Sequence, residues 1–210
     1  RLVQTIRLGV VAPGESLPSE RELAARFGVS RDTVREAIRE LGDAGFLEAR
    51  RGRYGGTFIA DPLPQPEHPV EVSAAELADV LALRAVLESG AARAAAARAL
   101  AATERAALSE WHRASAVAGA DDYRRCDTML HLTIVELAGI PSLIALVAAN
   151  RAQVNEWLDT FPLLPRNIEH SNAQHDAVVS AILAGDADAA AAAMAEHLAG
   201  SESLLRGFLG

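Results

Sequence analysis

Four prolines fall within eight residues, at Pro62, Pro64, Pro66 and Pro69. Proline lacks the backbone N–H and fixes φ, so neither a helix nor a central strand can cross this stretch. The segment divides the chain. Residues 62–72 read as a semi-rigid linker, residues 1–61 as one domain and residues 73–210 as a second. A chain of 210 residues is long enough for two small cores. The net charge of -8 argues at first against nucleic acid. Its distribution reverses that: residues 1–60 hold 10 Arg against 8 acidic residues, and residues 61–210 hold 10 Arg against 20. The first part can face phosphates; the second would be repelled by them.

Residues 1–8 read as a first helix ending near Gly9, and as the interior of a helix that starts upstream rather than as a signal peptide. Ser19-Glu20-Arg21-Glu22 has the form of a capping box. The helix it opens carries Leu23, Ala24 and Phe27 and stops at Gly28. Ser30 caps a third helix, about 31–44, with Val34, Ile38 and Leu41 on one face. The short break Gly28-Val29-Ser30 between two amphipathic helices is the spacing of a helix-turn-helix. Phe46–Ala49 and Thr57–Ala60 then read as two strands joined by a basic, Gly-rich tip, a wing. A recognition helix meets base edges with its N-terminal residues, which places Arg31, Thr33 and Arg35 toward double-stranded DNA. Arg51 and Arg53 on the wing suit a groove or phosphate. Isolated surface Arg would only solvate the protein; the whole arrangement argues for DNA.

These residues carry a resemblance. The runs Pro18–Ala24, Gly28–Ala37, Leu41…Gly45-Phe46-Leu47 and Arg51-Gly52-Arg53…Gly56-Thr57-Phe58 resemble the GntR family of bacterial regulators. The resemblance implies a homodimer on a palindromic operator, with Arg21, Arg31, Thr33, Arg35 and Gly52 at the DNA. Ser30 and Asp32 belong to the same expected interface, Asp32 either selecting operator sequence or favouring the helix N-terminus.

After the linker nearly everything reads as Ala-rich helix, about 74–99, 104–118, 121–138, 141–160, 165–184 and 187–207. Aromatics make up only 4% of the chain, so Ala, Leu, Val and Ile must fill the core and the helices can approach closely. The fold class expected is mainly α: a winged helix-turn-helix followed by an all-α antiparallel bundle of about six helices. Thr103 and Asp121 are expected caps, Pro141 opens a helix, and Gly185-Asp186 ends one and caps the next. The one cysteine, Cys126, excludes an internal disulfide and fits a reducing, cytoplasmic compartment. No apolar run is long enough to span a membrane.

Asp127 and His131 stand four apart, on one helix face. His175 lies ten residues before Gly185 and His197 eleven after Asp186. Antiparallel packing about that turn would bring the two nearly level, so one carboxylate and three imidazoles could converge between three helices. Such a set suits a divalent transition metal, zinc first, with nickel, manganese or iron as alternatives. A histidine on an amphipathic helix is also often just half-buried, and the spacing leaves both readings open. Cys126 points away from Asp127 and reads as packing; His68, His112 and His170 read as surface residues.

Asp127–His131, His175…Gly185-Asp186 and Met194–Leu198 also resemble the FCD effector domain of the FadR subfamily, over about residues 74–205. The resemblance implies that Asp127, His131, His175 and His197 bind a divalent metal, and that a small carboxylate effector completes its shell. Six helices would place it nearer the smaller FCD variant. Arg84, in Leu83-Arg84-Ala85-Val86-Leu87-Glu88, matches the FCD pattern and could pair with the effector carboxylate or with Glu88 one turn on. Asn150, Arg151, Asn155 and Trp157 are further candidates for the pocket. Two other functions compete: a metal-responsive regulator with the ion itself as signal, and a metal-dependent enzyme. The enzyme lacks a convincing general base or nucleophile beside the ligand set.

Overall fold

The computed structural model describes Leu2 and residues 13–52, 55–64, 71–161 and 163–209. The expected first helix lies outside these residues apart from Leu2, as do Arg53, His68 and the middle of the linker.

Helix α1, Glu20–Phe27, begins with the capping box: Ser19 Oγ accepts from Glu22 N–H, and the Glu22 carboxylate accepts from Ser19 N–H at 3.0 Å. It stops at Gly28, whose φ of 68° suits glycine. Helix α2, Arg31–Asp43, is capped by Ser30 and buries Val34 and Leu41. Strands β1, Leu47–Arg50, and β2, Gly56–Ile59, pair antiparallel from Leu47↔Ile59 to Arg50↔Gly56. Segment 14–17 lies along the outer edge of β2: Leu17 N–H donates to Thr57 O at 2.7 Å and Ile59 N–H to Glu15 O at 2.9 Å. A winged helix-turn-helix results.

Among the described residues six helices follow: α3, Ala74–Ala96; α4, Ala102–Val117; α5, Ala120–Leu137; α6, Pro141–Asp159; α7, Pro165–Ala184; and α8, Ala187–Leu209. They form the expected all-helical bundle. Helix α3 is its axis, packed against α5, α6, α7 and α8. Ala91, Ala92, Ala95 and Ala96 of α3 are all buried, and side chains this small let neighbouring backbones approach closely. Leu108, Leu130, Ile134, Val178, Ile182 and Met194 fill the space around them.

Two expected caps are corrected. Helix α4 starts after Ala101, not Thr103, because the Glu104 carboxylate accepts from Ala101 N–H at 2.7 Å and fixes the first turn earlier. Helix α5 starts after Gly119, not at Asp121, with Gly119 O accepting the first helical N–H groups. Helix α3 ends at Ala96 rather than 99.

The apolar core crosses between the two parts of the chain. Leu23, Val34, Leu41 and Ile59 belong to one cluster with Leu77, Val80, Trp157 and Leu205. Phe208 stacks on Phe161 at a centroid distance of 4.2 Å and meets Phe46 edge-on at 6.2 Å. A part-buried polar contact joins them too: Glu40, buried near the end of α2, accepts at Oε1 from Arg166 N–H at the start of α7, at 3.2 Å.

Candidate metal centre

Helix α5 presents Asp127 and His131, α7 presents His175 and α8 presents His197. The α7–α8 turn sets the level of the last two. Gly185 adopts a φ of 77°, Asp186 N–H donates to Ala181 O, and Asp186 Oδ1 accepts from Ala189 N–H at 2.9 Å. The rings of His175 and His197 then lie 4.5 Å apart, and that of His131 lies 5.3 and 5.0 Å from them. One potential ligand atom from each of the four residues lies within 4.8 Å of every other.

Three of these atoms form a tight triangle. His131 Nε2 to His175 Nε2 is 3.3 Å, His175 Nε2 to Asp127 Oδ1 is 3.3 Å, and His131 Nε2 to Asp127 Oδ1 is 3.7 Å. Neighbouring ligands about 2.1 Å from one ion stand roughly 3.0–3.4 Å apart, so little movement is needed to accept one. Burial, with the Arg151 charge close by, pushes the His131 imidazole down to about 4. Burial and the other two histidines hold His197 well below the ordinary histidine range. Both rings are therefore neutral at pH 7, the form that donates a lone pair to a metal. His175 Nδ1 is buried without a hydrogen-bond partner. The donor set fits a divalent transition metal.

A layer of charge lies behind the ligands. Arg151, 2% exposed, donates to both Asp127 and Glu88. Glu88, 1% exposed, also accepts from Arg84 Nε at 2.8 Å and faces His131 Nδ1. Burial opposes ionisation of Glu88, but His131, Arg151 and Arg84 hold its carboxyl well below the usual range. Burial opposes ionisation of Asp127 as well, and Arg151 beside it has the same lowering effect.

In front of the ligands opens a cavity of about 250 Å³. Asp127 and His197 form part of its wall, with Arg84, Asn155, Gln174 and Ser201. Arg84 pairs with Glu88 one turn on, and it also stands in the cavity wall, where Nη1 donates to Ser201 Oγ at 2.9 Å. Asn155 also lines the cavity, with Nδ2 on Thr128 Oγ1. Asn150 and Trp157 do not belong to the wall. Asn150 is buried with Nδ2 on Val80 O at 3.0 Å, bracing α6 against α3, and Trp157 lies in the core. Arg151 is absent from the wall as well; its guanidinium faces the two carboxylates behind it. His112 is half-buried and paired with Asp176 at 2.7 Å rather than free on the surface. His170 is exposed at the cavity mouth and Cys126 is buried, as its packing role requires.

On the other part of the chain, Arg21, Arg31, Asp32, Thr33 and Arg35 are all exposed. Ser30 and Thr33 hydroxyls lie 2.8 Å apart, and Ser30 Oγ also accepts Thr33 N–H. The Arg35 guanidinium bonds Glu20 at 2.9 Å and Asp32 at 3.1 Å. Arg51 and Gly52 are exposed at the wing tip, where Gly52 has a φ of 112°. Arg50, not singled out from sequence, lies over the Phe58 ring at 4.3 Å.

Residues 1–59 match the family described as bacterial regulatory proteins, gntR family, and residues 79–200 match the FCD domain. The repressor NanR of Cronobacter sakazakii is 33% identical over 210 residues, covering 94% of this chain and 79% of that protein. The chain belongs to the GntR family. This GntR-family chain is a DNA-binding transcription regulator with an FCD ligand-binding domain. A relative from Escherichia coli (strain K12), whose name provisionally assigns it to the L-lactate dehydrogenase operon, is 30% identical over 93% of this chain and 80% of its own length. The histidine utilization repressor of Klebsiella aerogenes is 47% identical, but over only 30% of this chain and 25% of that protein. Among solved structures, Escherichia coli McbR/YncC aligns over 98% of this chain and 93% of its own with a TM-score of 0.58 at 19% identity. Streptococcus agalactiae GntR covers 97% and 96% with a TM-score of 0.53 at 24% identity. These two likenesses concern the fold alone. The relatives are regulators, not enzymes.

Proposed function

We propose that this regulator senses a small carboxylate anchored at a divalent metal held by Asp127, His131, His175 and His197, with zinc the first candidate. The observation that carries this reading is a charge balance. Arg84 and Arg151 cancel Glu88 and Asp127, so a divalent ion adds two uncompensated positive charges beside a cavity. A buried excess of this kind favours an anionic occupant. The metal supplies a Lewis-acid anchor for a carboxylate oxygen, and Arg84, already at the cavity wall, offers a second hold. A relative named for a lactate operon is consistent with a small organic acid.

Residues 1–61 act as the reading head, 62–72 as the linker and 73–210 as the effector domain. Arg21, Arg31, Thr33, Arg35, Arg51 and Arg53 contact operator DNA, with Ser30, Asp32 and Gly52 shaping that surface. A homodimer places two heads on a palindrome about 34 Å apart. Helices α3 and α6 pack together and leave Leu83 and Val86 of α3, Ile144 and Leu146 of α6, and Ile140 just before it exposed, a surface that a second copy would cover. Acting on the chromosome places the protein in the cytoplasm; no described helix is long and apolar enough to cross a membrane.

A thermal-shift panel of small carboxylates against metal-loaded protein tests the reading. An acid at a hundred times its Kd should add about 2.7 kcal/mol, and an Asp127→Ala, His175→Ala double variant should not respond. Equal response by that variant, or none by the wild type, defeats it. Metal alone switching operator affinity would instead make the ion the signal.

A further inference from the structure

We infer that Glu88 is a positioning residue for the metal site, fixing the tautomer of His131 so that Nε2 faces the ion. The inference rests on the metal reading above.

Glu88 is buried and receives charge-assisted hydrogen bonds from two guanidiniums, Arg84 Nε at 2.8 Å and Arg151 Nη1 at 3.2 Å. Between two fixed cations its carboxyl is ionised and can only accept hydrogen bonds. Its second oxygen also meets His131 Nδ1. That nitrogen must then carry the ring proton and donate it. The opposite nitrogen, Nε2, is left with a bare lone pair, and it is Nε2 that stands 3.3 Å from His175 Nε2 and 3.7 Å from Asp127 Oδ1. The carboxylate–imidazole–metal arrangement orients a ligand ring and raises its basicity. Neither other histidine has a carboxylate behind it: Gln174 Oε1 lies 3.3 Å from His197 Nδ1, and His175 Nδ1 has no partner. Gln174 Oε1, an acceptor, favours the same tautomer at His197 through one longer, uncharged contact; His131 is the ligand that a buried carboxylate orients before an ion arrives.

Titration of Co²⁺ alone, followed by visible absorbance in wild type and Glu88→Gln, tests this. The variant should bind about 10–100-fold more weakly, with an unchanged far-ultraviolet circular dichroism spectrum. A merely structural role for Glu88 would not set a tautomer, so long-range ¹⁵N–¹H correlation of the wild-type imidazoles without metal gives a separate readout. His131 should carry its proton on Nδ1. A His131 proton on Nε2, or unchanged Co²⁺ affinity in a folded variant, overturns the inference while leaving the metal reading intact. A wild type that takes up no Co²⁺ overturns both. If Glu88→Gln does not fold, the wild-type tautomer decides.

Discussion

At the scale of single residues, the centre owes its shape to charge held away from water. Arg151 is the hub: it neutralises both Glu88 and Asp127 from behind. Removing one partner of a buried ionic cluster strands the rest, at a cost of about 3–5 kcal/mol. Arg151→Leu should therefore lower the stability of metal-free protein by that order, read by urea denaturation. Added metal should recover part of the loss, because the ion supplies positive charge beside the same carboxylates. A metal-free variant as stable as wild type would show that Arg151 is not the hub. Little of this was legible in the sequence. The i, i+4 spacing of Asp127 and His131 and the level of His175 and His197 about Gly185 could be read directly, because helices have a fixed rise and period. Whether an Arg or Asn on a helix faces a cavity or the layer behind it depends on how that helix is rotated. The sequence of α6, polar on more than one side, does not settle that; its spacing offers Asn150 and Arg151 to a cavity from which the packed helix turns both away.

At the scale of elements, the α7–α8 turn carries the burden of alignment. A Cβ at Gly185 would find only an ordinary contact, Ala96 O at 3.7 Å, so the strain of Gly185→Ala comes from its φ of 77°. The substitution should cost about 1 kcal/mol or more in thermal stability and weaken metal binding as His175 and His197 lose their register. Unchanged metal affinity would show that packing along α7 and α8 aligns the rings without the turn. Where the residue type announces a helix end, by a capping hydroxyl at Ser19 and Ser30 or by glycine's backbone freedom at Gly185, the sequence is explicit. The starts of α4 and α5 are not announced in the sequence, because their caps are Ala101 and Gly119, which have no side-chain acceptor to recognise.

At the scale of the whole molecule, the two parts of the chain meet through more than a linker. The Pro-rich segment suggested separate bodies joined by a spacer, and patterning within one domain carries no record of what it packs against. The shared cluster around Phe208 and the Glu40–Arg166 contact emerge only once both are folded. Helix α7 lacks a side-chain cap of its own, and Glu40 supplies an acceptor from the recognition helix instead. Glu40→Ala should cost about 1 kcal/mol. It should also narrow the difference in operator affinity between effector-bound and effector-free protein, measured by fluorescence anisotropy. An undiminished difference would assign the coupling to the linker. Leu83→Glu should shift the protein toward monomer in sedimentation velocity and weaken operator binding; an unaltered sedimentation coefficient would place the dimer contact elsewhere.

The recognition helix divides its duties by position. Arg31, Thr33 and Arg35 point outward from its first turns, while Glu40 and Leu41 are locked inside near its end. If the outward residues read the operator, as proposed, and Glu40 carries the coupling, the address and the joint are written in different letters of the same thirteen-residue word. A lineage can rewrite the first without disturbing the second. On that division, duplicated copies of such a gene could drift to new operators while answering to the same effector, and exchanging the opening turns between relatives should keep the response.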